Sequence, residues 1–139
     1  LGEARIVVER KAVERFLKLL AKEPEMVTYG IKNVEEALRA GAVETLLVTD
    51  DIELMIKKGK CQDCGNIQLK IQGENNGKEK CRTCGSENIV YEEGGIVEEL
   101  EEKCAAIGAK LEVIDANTEW GEQLKSFGSI AAILRYRME

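Results

Sequence analysis

Val43-Glu44-Thr45-Leu46-Leu47-Val48, closed off by Asp50 and Asp51, is an apolar run of strand length with a single charge in it. A strand half exposed to water alternates apolar and polar side chains; one that is apolar at nearly every position is covered on both faces. That requirement organises its neighbours. Upstream, Ile6, Val13, Phe16, Leu17 and Leu20 recur at mostly three- and four-residue steps, which predicts a helix over 5–22 that Pro24 ends. Met26-Val27-Thr28-Tyr29 reads as a short extended segment. A helix then runs to Gly41, a residue suited to a left-handed helix end, and Asn33 is expected to cap its start, with Glu36 in capping-box spacing. Downstream, Ile96, Val97, Leu100, Cys104 and Ile107 line one helical face up to Gly108. Residues 111–114 then form a strand, Thr118 to Phe127 a helix, and Ile130 to Leu134 a last strand. Helices and strands alternate, with one interruption. The expected fold is α/β, a three-layer-like sandwich around a mixed, mostly four-stranded sheet.

The interruption, residues 55–93, is poor in large apolar side chains and holds two knuckles, Cys61-Gln62-Asp63-Cys64-Gly65 and Cys81-Arg82-Thr83-Cys84-Gly85. A Cys-x-x-Cys turn aims two thiolates at one point, and the glycine after it permits the tight backbone that turns amides towards sulfur. Two such turns supply four soft ligands, enough to close a tetrahedral zinc site with Zn–S bonds of about 2.3 Å. The chain has no histidine, so the expected shell is Cys61, Cys64, Cys81 and Cys84. Four protein ligands leave no position for water, which makes one structural zinc ion the expected cofactor. Two disulfides, an iron tetrathiolate or a dithiol redox pair are the competing uses of this spacing. Short strands at 67–71 and 88–91, with Asn75-Asn76-Gly77 turning between them, complete a zinc-ribbon pattern. The expected organisation is a discontinuous α/β domain, 1–54 and 94–139, with 55–93 as an inserted four-cysteine zinc-ribbon mini-domain.

At 139 residues and 44% hydrophobic, the chain can bury about two-thirds of its unfolded surface, enough for one proper core. A start at Leu1 reads as a piece of something longer. No apolar run approaches membrane-spanning length, and cysteines spaced for metal suit the cytoplasm. The net charge of −6 is uneven: seven basic and four acidic residues between Met55 and Val90 make the insert +3 and leave −9 for the rest. Its lysines either balance the thiolates or touch RNA; the acidic body is a poor nucleic-acid binder by itself. Cys104 falls on an apolar stripe and reads as a core thiol. Without histidine, and without glycine-rich phosphate loops, nothing assembles an enzyme. The pairs Glu98-Glu99 and Glu101-Glu102 read as a wet helix face.

Tyr29-Gly30, Glu35-Glu36-Ala37-Leu38, the run Gly41 to Val48, Gly121-Glu122-Gln123-Leu124 and the closing Phe127-Gly128-Ser129-Ile130 to Tyr136 resemble one family. They are similar to the C-terminal domain of archaeal and eukaryotic class-1 peptide chain release factors, and the knuckles resemble its archaeal branch. The resemblance implies a non-catalytic domain that docks a translational GTPase of the elongation-factor type and faces the recycling ABC ATPase on the ribosome. It implies neither membrane nor small-molecule substrate. The family's Gly-Ile-Leu-Arg-Tyr partner motif falls on Ala132, Ile133, Leu134, Arg135 and Tyr136, with alanine in place of the glycine. Ile133, Leu134, Arg135, Tyr136, Arg137 and Phe16 are therefore the expected partner-binding residues. Against that stands the pattern itself: a strand apolar on both faces usually builds the sheet, and Phe16 equally suits a core. Pelota, the ribosome-rescue relative, shares the Gly-Glu-Gln-Leu and Ala-Ala-Ile-Leu-Arg elements but generally lacks the knuckles. A kink-turn RNA-binding module of the ribosomal-protein type fits poorly, because Glu35 and Glu36 at the helix start repel phosphate. A rubredoxin-like redox protein is the remaining alternative.

Overall fold

The run that opens at Val43 is a central strand. In the computed structural model, which describes residues 2–72 and 79–138, β2 (Val43–Thr49) lies between β7 (Ile130–Leu134) and β6 (Lys110–Ile114), and β1 (Val27–Tyr29) completes the order β1-β7-β2-β6. β2 and β6 run parallel, with Leu46 beside Leu111. β7 is antiparallel to both its neighbours, with Leu46 beside Ala132 and Thr28 beside Ala132 on the other side. The sheet is mixed and four-stranded, as expected.

Period-two alternation sends successive residues to opposite faces, and here both faces are apolar. Leu46, Val48, Ile130, Ala132 and Leu134 meet Val34 and Leu38 of α2 (Ile31–Arg39) and Ile96, Leu100 and Cys104 of α3 (Ile96–Ile107). Leu47, Ala131 and Ile133 meet Val13 and Phe16 of α1 (Gly2–Lys22) and Leu124 of α4 (Glu119–Lys125). This is the three-layer sandwich. α4 begins where Thr118 Oγ1 accepts the Gly121 N–H at 3.0 Å. Gly121 itself is obligatory for space: an added Cβ would overlap the Asp115 carbonyl and lie 3.0 Å from Ala116 Cα.

Two local expectations are corrected. α2 starts at Ile31 after Gly30, whose φ of 86° suits glycine, and not after Asn33. Burying both Ile31 and Val34 in the core brings the helix start forward; Asn33 then sits in the first turn, its Nδ2 donating to Tyr29 O at 3.2 Å. The second correction is an added strand. β3 (Ile56–Cys61) is the middle of a three-stranded sheet ordered β4-β3-β5, with β4 at Ile67–Ile71 and β5 at Ile89–Glu92. Its Lys-Lys-Gly-Lys centre hides it from pattern reading, since glycine and lysine are poor strand formers. The Tyr91 ring lies opposite Gly59 and fills the space a side chain would take. The turn expected at Asn75-Asn76-Gly77 lies outside the described residues.

Candidate functional site

The two knuckles are near-copies of each other. Cys61 N–H donates to Asn66 O at 2.9 Å and Gly65 N–H returns to Cys61 O at 2.9 Å; Cys81 N–H to Ser86 O and Gly85 N–H to Cys81 O, at 2.7 and 2.8 Å, repeat the pattern. Gly65 and Gly85 close each turn at φ of 80° and 79°, left-handed backbone that glycine adopts without strain. The four Sγ atoms lie within 4.8 Å of one another. The Cys61–Cys84 and Cys64–Cys81 pairs approach to 3.5 Å, well outside bonding distance for a disulfide, about 2.05 Å. A regular tetrahedron of sulfurs around a metal at 2.3 Å has edges of about 3.8 Å. The donor set and its spacing therefore fit a metal ion held by four thiolates.

The knuckles also solvate sulfur. Thr83 N–H points at Cys81 Sγ at 3.4 Å and Asn66 Nδ2 at 3.7 Å. The Cys81 thiol is drawn down to about 6, first by the Cys84 backbone N–H, with burial opposing and the Thr83 N–H adding to the pull. Cys61 and Cys81 are buried while Cys64 and Cys84 reach the surface. The fifth cysteine takes no part. Cys104 sits in the core, where burial pushes its thiol up to about 11.

Three polar residues to which the sequence reading gave no part in the insert hold the knuckles in place. Gln68, 2% exposed, accepts the Arg82 N–H at 3.1 Å and donates to Lys80 O at 3.3 Å, gripping both flanks of Cys81. Glu35 of α2, 5% exposed, accepts the Leu69 N–H at 2.8 Å and pairs with the Arg82 guanidinium. Lys103 of α3 donates to Ile67 O at 3.2 Å. Leu69 N–H and Ile67 O lie on the outer edge of β4, so Glu35 and Lys103 satisfy a strand edge that would otherwise be open. Ile56 and Leu69 add apolar anchorage in the core shared with α2 and α3. Their signal in sequence is faint, because a buried glutamate reads like any other glutamate until its partners are known.

The expected partner-binding residues divide. Phe16, Ile133 and Leu134 are 0%, 1% and 4% exposed, so their side chains offer a partner no surface; they fill the core because strand and helix periodicity turn them inward. Arg135, Tyr136 and Arg137 are exposed. Arg135 ties the end of β7 to two elements, its guanidinium donating to Val43 O and to Ile107 O at the end of α3. Tyr136 donates to Ala40 O at 3.0 Å and Arg137 pairs with Glu25 at 3.2 Å. These bonds fix the three side chains as a firm ledge. No helix among the described residues is long and apolar enough to cross a membrane.

Comparison with known proteins agrees with this anatomy. Peptide chain release factor subunit 1 of Thermococcus onnurineus is 38% identical over 146 residues, covering 100% of this chain and 35% of the relative. The chain thus spans about a third of the length of the curated relatives it matches. The solved C-terminal domain of the peptide chain release factor from Methanosarcina mazei superposes with a TM-score of 0.71 at 29% identity, covering 97% of this chain and 86% of that one. A chain of the ribosome-bound archaeal Pelota and ABCE1 assembly gives a TM-score of 0.58 at 30% identity, covering 99% of this chain and 28% of that one. The family model described as eRF1 domain 3 matches residues 6–138, and the chain belongs to that family.

Proposed function

We propose that this chain is the docking domain of a translation termination factor, recruiting an elongation-factor-type GTPase and then the recycling ABC ATPase on the ribosome in the cytoplasm. The full-length likeness to the release factor C-terminal domain carries the reading. The Pelota and ABCE1 assembly supports the ATPase as a partner through a relative of the same fold. The domain binds and does no chemistry: it has no histidine, and its cysteine cluster has all four thiolates committed to one point. Residues 55–93 act as an insert around one structural zinc, which suits an all-thiolate set, and 1–54 with 94–139 form the docking body. The exposed ledge of Arg135, Tyr136 and Arg137 makes the contact. Ile133, Leu134 and Phe16 shape it from beneath.

Calorimetric titration with the archaeal GTPase, loaded with a GTP analogue, tests the reading. A saturable 1:1 isotherm that Tyr136→Ala and Arg137→Ala each weaken about tenfold, as interface tyrosines and arginines do, is the expected result. Unchanged affinity in both variants would remove the ledge, and no saturable binding would remove GTPase docking by this domain. A colourless as-purified protein carrying one equivalent of zinc is expected; an iron-type visible spectrum would favour the rubredoxin-like use of the cluster.

A further inference from the structure

The outer face of the second sheet has a charge arrangement that neither docking nor metal binding explains. Lys57 and Lys70 stand directly opposite each other on β3 and β4, where like charges repel. Their Nζ atoms lie 5.5 and 5.2 Å from the centroid of the same Tyr91 ring, close enough for cation–π attraction to hold both. The ring is fixed in turn, over Gly59 on one side and by its hydroxyl donating to Glu79 at 2.7 Å. Gln68, register partner of Gly59, and Glu79 continue this face into a cleft of about 340 Å³ between the second sheet and α2. Lys32, Arg39, Lys80 and Arg82 line that cleft with two carboxylates, Glu36 and Glu79. Glu35, behind it, is neutralised by its pair with Arg82, so the cleft keeps more cations than carboxylates despite the acidic helix start. Among the described residues, none of the five cations Lys57, Lys70, Lys32, Arg39 and Lys80 is in an ion pair. Five unpaired cations on one contiguous surface of a chain with net charge −6 form a local exception to an acidic body.

We infer that this face, from Lys57 and Lys70 around Tyr91 into the Lys32/Arg39/Lys80 cleft, binds the phosphate backbone of an RNA strand. Phosphate is the complement the geometry calls for. Four of the five cations are lysines, compact point charges that suit a row of phosphates; the bidentate capture of a carboxylate needs the arginine fork. An anion between Lys57 and Lys70 would also remove their mutual repulsion. The surface uses none of the ledge residues, so it stands apart from GTPase docking.

The test is fluorescence anisotropy of a labelled single-stranded oligouridylate titrated with the zinc-loaded 139-residue chain over a range of salt. The variants are Lys57→Ala/Lys70→Ala and Lys32→Ala/Lys80→Ala, with Lys18→Ala/Lys22→Ala on α1 as the comparison and metal content and circular dichroism as fold checks. If each lysine neutralises one phosphate, either patch pair weakens binding about 25-fold at about 0.1 M salt and lowers the log–log salt slope by about 1.4. The α1 pair leaves both unchanged. Absence of RNA binding at low salt, or equal losses in the α1 pair, would overturn the inference. A labelled polyglutamate bound as tightly as the RNA would also overturn it, by making an acidic protein the ligand.

Discussion

Removing Glu35 should loosen the grip between the ribbon sheet and the α/β layers. Its carboxylate is 5% exposed and holds both the Leu69 N–H and the Arg82 guanidinium. Glu35→Ala strands the Leu69 N–H under a side chain that is itself 1% exposed, a cost of about 1–3 kcal/mol for an unsatisfied buried donor. Arg82 keeps 25% of its side chain in water and can resolvate, so its lost partner adds only about 1 kcal/mol. The sum of about 2–4 kcal/mol corresponds to about 1–2 M in a urea midpoint. Arg82→Ala works in the opposite sense, leaving a buried carboxylate without its cation, at about 3–5 kcal/mol while it stays ionised. Burial pushes the Glu35 carboxyl up, and the Leu69 N–H and the Arg82 charge only partly pull it back. A group raised in the folded state contributes stability below its ordinary value, and loses it as pH rises through the folded value. Without Arg82 the folded value climbs further, so the Arg82→Ala deficit should deepen as pH rises from below the ordinary glutamate value through the raised folded one, and Glu35→Gln should remove that dependence. Urea unfolding of the zinc-loaded chain, followed at the single tryptophan, Trp120, and by metal release to a chromophoric chelator, reads both layers. Metal release should precede the tryptophan transition in Glu35→Ala and coincide with it in the parent. A midpoint change worth less than about 0.5 kcal/mol, the scale of an ordinary surface substitution, or a pH-independent Arg82→Ala deficit, would refute the clasp.

Thiol counting with a disulfide reagent should find no fast cysteine in the metal-loaded chain and four after chelation. Cys104, buried and raised to about 11, should react only on unfolding; a fifth fast thiol would contradict its core position. Gly121→Ala presses a methyl group onto the backbone of Asp115 and Ala116, and should lower thermal stability by about 3 kcal/mol; an unchanged melting temperature would mean that this turn yields. Burial first, then the bond to Glu79, pushes the Tyr91 hydroxyl up to about 12. Its contribution to stability is therefore present below the usual tyrosine value and lost as pH rises through about 12. A tyrosinate absorbance step at about 12 that Tyr91→Phe abolishes is the expected observation, and its persistence in the variant would refute the assignment.

The strand 130–134, the helix 96–107 and the α/β alternation could all be read from the residues, because apolar period reports burial directly. β3 could not, because its stability comes from two paired neighbours and a tyrosine covering Gly59. The same holds for the start of α2, where an asparagine with good capping chemistry loses to the burial of Ile31 and Val34. Of the closing motif, pattern reading rightly made a sheet strand; it could not show that Arg135 spends its donors on the carbonyls of Val43 and Ile107.

By itself the sequence determined the layered architecture, the family and the four-cysteine set. Each of these rests on local chemistry: residue period, motif identity, and a spacing that places two sulfurs on one turn. Only the tertiary structure decided that Glu35 bridges two layers, that Phe16, Ile133 and Leu134 are core, and that Lys57, Lys70 and Tyr91 share one face with a basic cleft. Those facts depend on residues far apart in the chain, 47 positions between Glu35 and Arg82 and more between Phe16 and Ile133, and a side chain's solvent, partners and charge environment exist only once such distant segments have packed together.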